Sequence, residues 1–435
     1  MGRAHGVWFQ RTKGRLDPGL VKELLRLRQT GAKEDESPLP VIIRWNKQAD
    51  TEKRKQALNR CQEGSCNHLD GELTLMDCAF GRLTPTTIQE LLDNEAVGKL
   101  FYDRPVKALL DIAGKFTGAL DVHMEEGLTG DGIGIAVIDT GIHPHDDLAQ
   151  PEARIDAFVD FVNGESEPYD DQGHGTHCAG DAAGNGHLSE GLYTAPAPGA
   201  RLIGVKVLDE NGGGQLSTVI QGVEWCVENR EQYGIRIMSL SLGAPAYESH
   251  RDDPLCQAVE EAWHHGIAVF AAAGNEGPEP GTISTPGISP AVVTVGAMDD
   301  RNTENPDDDE KAPFSSRGPT PDAWVKPDIY APGTDIISLS VPGSPLERQL
   351  PENRVGEHYI SLSGTSMATP FCAGVAALLL EANPMLSPND IKSILMQTVQ
   401  SLDGDDPAGV VDVKQAVTLA KQYLQFQETL AEASR

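Results

Sequence analysis

The sequence lacks a long apolar run and has few cysteines, and each shortage excludes a class of protein. No segment approaches the ~20 apolar residues of a membrane-spanning helix, and residues 1–20 contain no apolar core of signal-peptide length. The seven cysteines are an odd number dispersed over 435 residues, which indicates reduced thiols and not a disulfide framework. We therefore expect a cytoplasmic protein that does not enter a membrane, with non-classical release left open.

Basic residues are also scarce, and their distribution is uneven. Lys and Arg number 35 against 65 Asp and Glu, for a formal net charge of −30. Residues 1–60 hold 14 basic and 7 acidic residues (net +7), so the remainder carries −37. Such acidity does not favour nucleic acid as a partner. The basic N-terminal part is expected to pair with the acidic remainder of the same chain.

Three segments place polar side chains on small-residue turns in the order Asp, His, Ser: AVIDTG (136–141), GHGTHCAG (173–180) and GTSMATP (364–370). A serine hydroxyl becomes a nucleophile when a neutral imidazole takes its proton and a carboxylate holds that imidazole in the right tautomer. The sequence therefore predicts Ser366 as nucleophile, His174 as base and Asp139 as the orienting carboxylate.

The surroundings of these residues predict where each one lies. Asp139 ends the apolar run 133–138, which is typical of a buried parallel strand. His174 lies between glycines at a predicted helix start. The apolar residues after Pro370 predict a buried helix with the proline in its first turn.

A fourth segment, FAAAGNEG (270–277), is an apolar strand that ends in Asn275. A side-chain amide there could donate to the oxygen of a tetrahedral intermediate, together with the backbone N–H of the nucleophile. The alternative is an ordinary Asn-Glu-Gly turn.

Aspartic-peptidase and zinc chemistry are the alternatives for these residues. An aspartic peptidase needs a second Asp-Thr-Gly or Asp-Ser-Gly after an apolar strand, or a homodimer, and no second copy follows such a strand. His174 and His177 have a spacing that permits zinc, but no Glu follows as in zinc peptidases. A second possible zinc site comprises Cys61, Cys66, His68 and Cys78. The spacing of these four residues fits no standard zinc-binding pattern.

The ordered motifs from about residue 127 to 415 resemble those of the subtilases, the subtilisin-like serine peptidases. They include LIGVKVL (202–208), IMSLSLG (237–243), FSSRGP (314–319) and KPDIYAPG (326–333). VKALLD, EPYDDQGHGTH and GVEWC are closer still to the AprX type of bacterial intracellular subtilases. The resemblance implies a doubly wound, mostly parallel α/β sheet and an endopeptidase that cleaves mainly after apolar residues; a folded but non-enzymatic peptide-binding module is the other reading.

The resemblance also implies a substrate cleft. The backbone of 241–243 would pair with an extended substrate, and the S1 pocket would lie between 241–243 and 272–276. Leu216, Val219 and Leu242 would line an apolar S4 subsite. The implied substrate-binding residues are Leu216, Val219, Ser241, Leu242, Gly243, Ala273, Gly274 and Ser284, the last near the base of S1, where the family often has glycine.

Structural calcium is a further expectation. The loop DFVNGESEP (160–168) carries oxygen side chains at alternating positions, as calcium prefers, and resembles a calcium loop of thermophilic subtilases; a solvated acidic loop is the alternative. Asp147 matches the aspartate of the family's common strong site, although the facing loop, AGNGHLSEGLY, departs from the usual pattern. The tentative calcium ligands are Asp160, Asn163, Glu165, Glu167 and Asp147.

The first 105 residues predict a separate module. Residues 1–37 are expected to form a short helix (16–30) and a polar linker, and residues 38–105 a small ferredoxin-like α+β module of β-α-β-β-α-β order. The predicted elements of this module are a strand at 39–45, a helix at 50–61, a strand at 73–80, a helix at 85–93 and a strand at 97–102. This order resembles subtilase propeptides, which implies an inhibitory and folding prosegment that is removed or displaced on activation; an unrelated binding domain is the alternative.

The remaining boundaries follow from this reading. Residues 106–425 are predicted to form the catalytic domain and 426–435 a C-terminal tail, with processing somewhere in 103–125. The expected partners are polypeptide substrates and the chain's own prosegment, with neither nucleic acid nor membrane.

Overall fold

The computed structural model describes residues 14–29, 37–47, 49, 51–61, 66–108, 119–301, 303, 309–402 and 407–433. Residues 31–36 of the predicted linker and 109–118 of the predicted processing region lie outside these residues. The fold divides into two units. The first extends to Pro105 and includes Gln215–Glu224, and the second comprises Val106–Gly214 and the chain from Trp225 onward.

A four-stranded antiparallel sheet in the order β2-β3-β1-β4, with two helices in the connections, forms the body of the first unit. This is the strand order of a ferredoxin-like module. The elements are α1 Pro18–Gln29, β1 Leu39–Trp45, α2 Thr51–Cys61, β2 His68–Leu73, β3 Cys78–Leu83, α3 Pro85–Leu92 and β4 Val97–Tyr102.

The predicted single strand at 73–80 is wrong. The chain forms a hairpin there, β2 and β3, around a turn at 74–77 in which Asp77 has φ 51°. Aspartate is one of the few non-glycine residues that adopt this left-handed conformation readily.

The N-terminal helix packs into the core of this module. Leu20 and Leu24 are buried in the same apolar cluster as Val41 and Leu100. Asp17 accepts the amides of Gly19 and Leu20 at the start of α1, as a helix-capping side chain does. The helix is therefore part of the module and does not stand apart from it.

A mostly parallel sheet forms the centre of the second unit, in the order β15-β14-β12-β10-β6-β8-β7, with β16 also paired to β14. In the sheet, β7 and β8 lie on one side of β6, and the later strands β10, β12 and β14 lie on its other side. The strand order therefore reverses at β6. Ligands of doubly wound sheets bind at the carboxyl ends of the strands beside such a switch point. The predicted fold class is confirmed.

Two smaller sheets accompany the central one, in the orders β13-β11-β5-β9 and β17-β19-β18. The strands from the unit boundary onward are β5 Pro105–Ala108, β6 Gly134–Asp139, β7 Ile155–Asp160, β8 Arg201–Lys206, β9 Gly213–Gln215, β10 Ile235–Leu240, β11 Leu242–Pro245, β12 Ala268–Ala272, β13 Ser284–Thr285, β14 Val293–Asp299, β15 Glu310–Lys311, β16 Ile329–Pro332, β17 Ile336–Leu339, β18 Arg354–Val355 and β19 Tyr359–Leu362. The helices are α4 Ala119–Glu126, α5 Asp146–Ala149, α6 His174–Ala183, α7 Leu216–Tyr233, α8 Pro254–His264, α9 Pro345–Gln349, α10 Thr365–Ala382, α11 Pro388–Gln397 and α12 Val413–Ala433.

Helix α10 is the central helix of the second unit. It packs against α6, α12 and strands β10, β12 and β14. Among the described residues it is the one helix long and apolar enough to cross a membrane, and 83% of it is buried inside the protein, so its place in the core accounts for its apolar composition.

Two predicted features differ at the ends of helices. α10 begins at Thr365, so Pro370 is its sixth residue and not part of its first turn. α12 continues to Ala433, through most of the segment predicted as a tail at 426–435.

Candidate active site

Asp139 and His174 form a buried pair at the switch point of the central sheet. Asp139 is the last residue of β6 and His174 the first of α6. His174 Nδ1 lies 2.7 Å from Asp139 Oδ1, and both side chains are almost completely buried. Because the carboxylate engages Nδ1, Nε2 is the nitrogen that can accept a proton.

The electrostatics favour a charged imidazole in this pair. Burial alone would lower the pKa of His174, but the adjacent Asp139 carboxylate outweighs it and holds the pKa well above its usual value. Asp139 Oδ1 also accepts the Thr140 amide at 2.7 Å. The neighbouring Cys178 thiol has its pKa raised to about 11 by burial, so it is uncharged at neutral pH.

Asp170 connects the turn after β6 to the start of α6. Its Oδ1 accepts the Thr140 hydroxyl (2.9 Å) and the Gly173 amide (2.8 Å), and its Oδ2 accepts the amide and hydroxyl of Thr176 (2.9 and 2.6 Å). Gly173 has φ 112°, a conformation that suits glycine. Sequence reasoning missed Asp170; the signal was an acidic residue shortly before a predicted helix start, where carboxylates are stabilising.

Ser366 is the second residue of α10, and its backbone carbonyl lacks the usual helical partner because Pro370 has no N–H. That carbonyl instead accepts hydrogen bonds from Ser241 Oγ (2.7 Å) and from Cys178 Sγ (3.5 Å). The same sulfur lies 3.8–3.9 Å from both ring nitrogens of His174. Cys178 therefore contacts both predicted reactive residues and brings their helices together.

Asn275 presents a buried amide donor beside Ser366. Its Oδ1 accepts the amide and the hydroxyl of Thr365, each at 3.0 Å, which fixes the orientation of the side chain. Its Nδ2 is buried without a hydrogen-bond partner within the described part of the chain. Leaving such a donor unpaired costs about 1–3 kcal/mol, so the arrangement favours a site for an acceptor that arrives from outside.

Strand β11 contains two of the predicted substrate-binding residues, and its edge is paired with β5. Leu242 pairs with Ala108 and Gly243 with Lys107 in antiparallel register. Ser241, just before the strand, contacts Ser366 as described above. The backbone predicted to receive substrate thus receives a segment of the same chain.

Ser284 lies between two of the glycines predicted to line S1. A Cβ on Gly274 would stand 2.6 Å from Ser284 Oγ, and a Cβ on Gly243 would stand 2.9 Å from Ser284 Cβ. The Ser284 amide donates to the Ala273 carbonyl at 2.9 Å.

Leu216 and Val219, predicted for S4, are fully buried in α7 and belong to the first unit.

The loop of Asp160 satisfies its own carboxylate. Glu165 and Glu167 are exposed, and Asn163 turns its amide nitrogen to Tyr169 Oη at 2.8 Å. The donors to Asp160 are the amides of Val162, Asn163 and Glu165 and the hydroxyl of Tyr169, at 2.7–3.2 Å. The Asp160 carboxylate is thus held by protein donors, and the calcium site predicted for this loop stays a prediction.

Asp147 is also satisfied by protein donors. It is fully buried, its Oδ1 accepts the Leu188 amide and its Oδ2 accepts the Tyr359 hydroxyl, each at 2.8 Å. The Arg154 guanidinium donates to its backbone carbonyl at 2.6 Å. The position of the Asp147 carboxylate therefore does not depend on a cation, and the calcium role predicted for it stays a prediction.

Among the described residues, neither zinc alternative is supported by a cluster of ligands. His177 pairs with Asp181 at 3.0 Å and not with His174. Where the chain is described, the group of three His, Cys, Asp or Glu side chains close enough to share a metal is Asp139, His174 and Cys178, which is the hydrogen-bonded pair above with its neighbouring thiol.

The chain is similar in sequence to known serine proteases. Serine protease AprX of Bacillus subtilis (strain 168) is 48% identical over 367 residues, 82% of this chain and 82% of that protein. Subtilisin Savinase of Lederbergia lenta is 39% identical over 276 residues, 63% of this chain and 86% of that protein.

Among solved structures, fervidolysin from Fervidobacterium pennivorans, described as a keratinolytic enzyme related to subtilisin, superposes with a TM-score of 0.67 at 20% identity. The match covers 88% of this chain and 61% of fervidolysin, less than two thirds of its length; at this identity it shows the fold alone. The model of the Subtilase family matches residues 130–418, well over half of the chain, and the chain therefore belongs to the subtilase family as a subtilisin-like serine protease.

Proposed function

We propose that this subtilase is an endopeptidase that works through Asp139, His174 and Ser366, with Asn275 in its oxyanion hole. The observation that carries the proposal is the buried Asp139–His174 hydrogen bond beside Ser366, at 2.7 Å. It supplies an oriented base next to a hydroxyl, and the unpaired amide of Asn275 supplies a donor for the charge that the reaction creates.

The reaction follows from these positions. His174 Nε2 takes the hydroxyl proton as Ser366 Oγ attacks the substrate carbonyl, and Asp139 stabilises the imidazolium that forms. The oxyanion accepts from Asn275 Nδ2 and from the backbone N–H of Ser366, which lies at the positive end of α10. His174 then protonates the leaving amine, and water hydrolyses the acyl-enzyme by the same route.

The cleft supports a preference for apolar residues at P1, the residue before the cut bond. Ser284 packs closely against the backbone of Gly243 and Gly274, and no charged side chain is among these three. An extended substrate would bind as an added strand along β11.

We also propose that the N-terminal module is an inhibitory prosegment. In the second unit, 107–108 already occupies the edge of β11. Within the first unit, Asp103 accepts the amide and the hydroxyl of Ser217 (2.8 and 2.5 Å), and the Leu216 amide donates to the Arg104 carbonyl (3.1 Å). The module thus binds the first turn of α7 with hydrogen bonds that an unbound helix would lack.

The thiols support a reducing compartment. All seven cysteines are free, and six are buried. We propose the cytoplasm as the location of the protein.

The test of the catalytic proposal compares wild type with Ser366→Ala and with Ser401→Ala, an exposed serine that serves as the matched control. We expect casein hydrolysis in wild type and Ser401→Ala and none in Ser366→Ala. Hydrolysis by Ser366→Ala would contradict the assignment.

The test of the prosegment proposal follows the lag before activity appears in freshly refolded full-length protein. Asp103→Ala removes a charged acceptor, and this contact is worth about 1.5–3 kcal/mol. We therefore expect the lag to shorten at least ten-fold. Asp93→Ala, at an exposed carboxylate of the same module, should keep the wild-type lag. An unchanged lag in Asp103→Ala would contradict this contact's role.

A further inference from the structure

Lys206 is a buried cation beside the candidate active site that the proposed reaction does not use. It is the last residue of β8 and pairs in register with Asp139, the last residue of β6. Its side chain is fully buried. Burying an ammonium group is costly unless charged and polar partners surround it, so the partners of Lys206 show what this lysine holds in place.

The ammonium group of Lys206 donates to three oxygens. Its Nζ lies 2.6 Å from Asp171 Oδ1, 2.7 Å from the Thr140 carbonyl and 2.8 Å from the Leu208 carbonyl. A lysine has three N–H donors, so all of them are used. One of the three fixes the carbonyl of the residue that directly follows Asp139.

That residue, Thr140, connects Asp139 to the helix that carries His174. The Thr140 amide donates to Asp139 Oδ1 at 2.7 Å. The Thr140 hydroxyl donates to Asp170 Oδ1 at 2.9 Å and accepts the Gly175 amide at 2.8 Å. Gly175 follows His174 in α6, and Thr140 is itself fully buried.

One residue thus holds both partners of the dyad formed by Asp139 and His174. A misplacement of about 1 Å can cost about 10²-fold in rate, even when its cause lies away from the reacting atoms. The 2.7 Å contact of the dyad therefore requires that Thr140 be fixed as well, and the ammonium group of Lys206 fixes its carbonyl.

We infer that Lys206 and Thr140 are positioning residues for the Asp139–His174 dyad; this rests on the proposed function. Lys206 fixes the carbonyl of Thr140. Thr140 then holds the carboxylate of Asp139 through its amide and the first turn of α6 through its hydroxyl. Neither residue takes or gives a proton in the proposed reaction, and each acts only through the dyad.

The hydroxyl of Thr140 is tested by two variants of similar size. Thr140→Val keeps the shape of the side chain and removes the hydroxyl, whereas Thr140→Ser keeps the hydroxyl. We expect Thr140→Val to lower kcat by about 10- to 10²-fold without a change in KM, and Thr140→Ser to retain most of the wild-type kcat. A wild-type kcat in Thr140→Val, or an equal loss in Thr140→Ser, would overturn the role of Thr140.

The ammonium group of Lys206 is tested against a second buried lysine. Lys326 is 4% exposed and pairs with Asp328 at 2.6 Å, and its other hydrogen bonds go to Val292 and Thr294, which take no part in the proposed reaction. Lys206→Met and Lys326→Met should both lower the free energy of unfolding in urea. We expect kcat to fall only in Lys206→Met, by at least ten-fold and without a change in KM.

Both sets of measurements refer kcat to reactive protein, whose concentration is determined by titration to completion with a fluorophosphonate. Loss of stability in Lys206→Met with an unchanged kcat, as expected for Lys326→Met, would overturn the role of Lys206. If Lys206→Met does not fold, the comparison of Thr140→Val with Thr140→Ser decides the inference.

A double variant separates position from charge. Lys206→Met leaves the Asp171 carboxylate, three residues before His174, without its ammonium partner. Combining it with Asp171→Asn removes that charge, and we expect the double variant to stay as slow as Lys206→Met. Recovery of the wild-type kcat would show that the charge of Asp171 caused the loss, and would contradict positioning through Thr140.

Failure of the proposed function is seen separately, in proteins that keep both Lys206 and Thr140. Absence of casein hydrolysis in wild type, or hydrolysis that persists in Ser366→Ala, would contradict the proposed function. An active wild type that loses activity in Ser366→Ala, together with an unaffected Thr140→Val and Lys206→Met, would overturn the positioning inference alone.

Discussion

Ser241 and Ser366 hold each other through two reciprocal hydrogen bonds. Ser241 Oγ donates to the Ser366 carbonyl at 2.7 Å, and Ser366 Oγ donates to the Ser241 carbonyl at 3.2 Å. The first bond exists because Pro370 cannot donate to that carbonyl. The backbone of the proposed nucleophile is thus fixed by the residue that precedes β11, the strand proposed to pair with substrate.

Replacing Ser241 by Ala should therefore weaken both folding and catalysis. It leaves the Ser366 carbonyl without its shortest donor, which costs about 1–3 kcal/mol for a buried group. Urea unfolding should show this loss, and kcat should fall while Ser401→Ala behaves as wild type. Full stability and activity in Ser241→Ala would show that Cys178 alone is a sufficient partner.

Asn275→Ala should lower kcat and leave KM little changed. Its buried Nδ2 has no partner in the described part of the chain, so its donor is free for an oxyanion that exists only during reaction. The expected loss is about 10²- to 10³-fold, as for removal of the oxyanion-hole asparagine of subtilisin. Glu276→Gln, at the next residue, should match wild type; a rise in KM at constant kcat in Asn275→Ala would instead indicate a role in ground-state binding.

Activity should rise with pH through a value above the usual pKa of histidine. Asp139 holds the pKa of His174 up, and catalysis needs the neutral imidazole. Below that pKa the base is protonated and inactive; above it activity reaches a plateau. The rising limb of a plot of kcat/KM against pH measures the pKa of His174. In Asp139→Asn this limb should shift to lower pH, and kcat should drop by about 10⁴-fold. A limb at or below pH 6 in wild type would contradict this electrostatic account.

Removal of calcium should leave the thermal midpoint unchanged. Both oxygens of Asp147 and of Asp160 accept protein donors, so neither carboxylate needs a cation. Differential scanning calorimetry with EDTA, against buffer with added calcium, checks this. Tyr359→Phe removes one donor to Asp147 and should lower the free energy of unfolding by about 1–3 kcal/mol; a midpoint that falls with EDTA would restore the calcium sites.

Some of this fold was predictable because local sequence and tertiary structure agree. The apolar run before Asp139 predicts a parallel strand, and strand β6 does end at Asp139, the first polar residue after that run. Pro85 after Thr84 begins α3 as a first-turn proline does, with the Thr84 hydroxyl accepting the Thr87 amide. The turn at Asp77 was missed because the strand-like residues on both sides of it give no break in the pattern.

The rest depends on contacts between residues far apart in the sequence. Tyr359 reaches Asp147 across 212 residues, so no reading of the loop near Asp147 could reveal that its carboxylate is already satisfied. In the same way, the Ser366 carbonyl, which Pro370 leaves without a helical donor, accepts a hydrogen bond from the hydroxyl of Ser241, 125 residues earlier in the chain. Long-range partners of this kind decide whether a motif is a metal site or a structural hydrogen-bond network.

The most direct measurement of the central claim is the reaction of the processed protein with a serine-reactive fluorophosphonate, read by peptide mapping. The account predicts one label on Ser366, with a rate that falls by several orders of magnitude in His174→Ala because the base is gone. Labelling at another serine, or at an undiminished rate without His174, would contradict it.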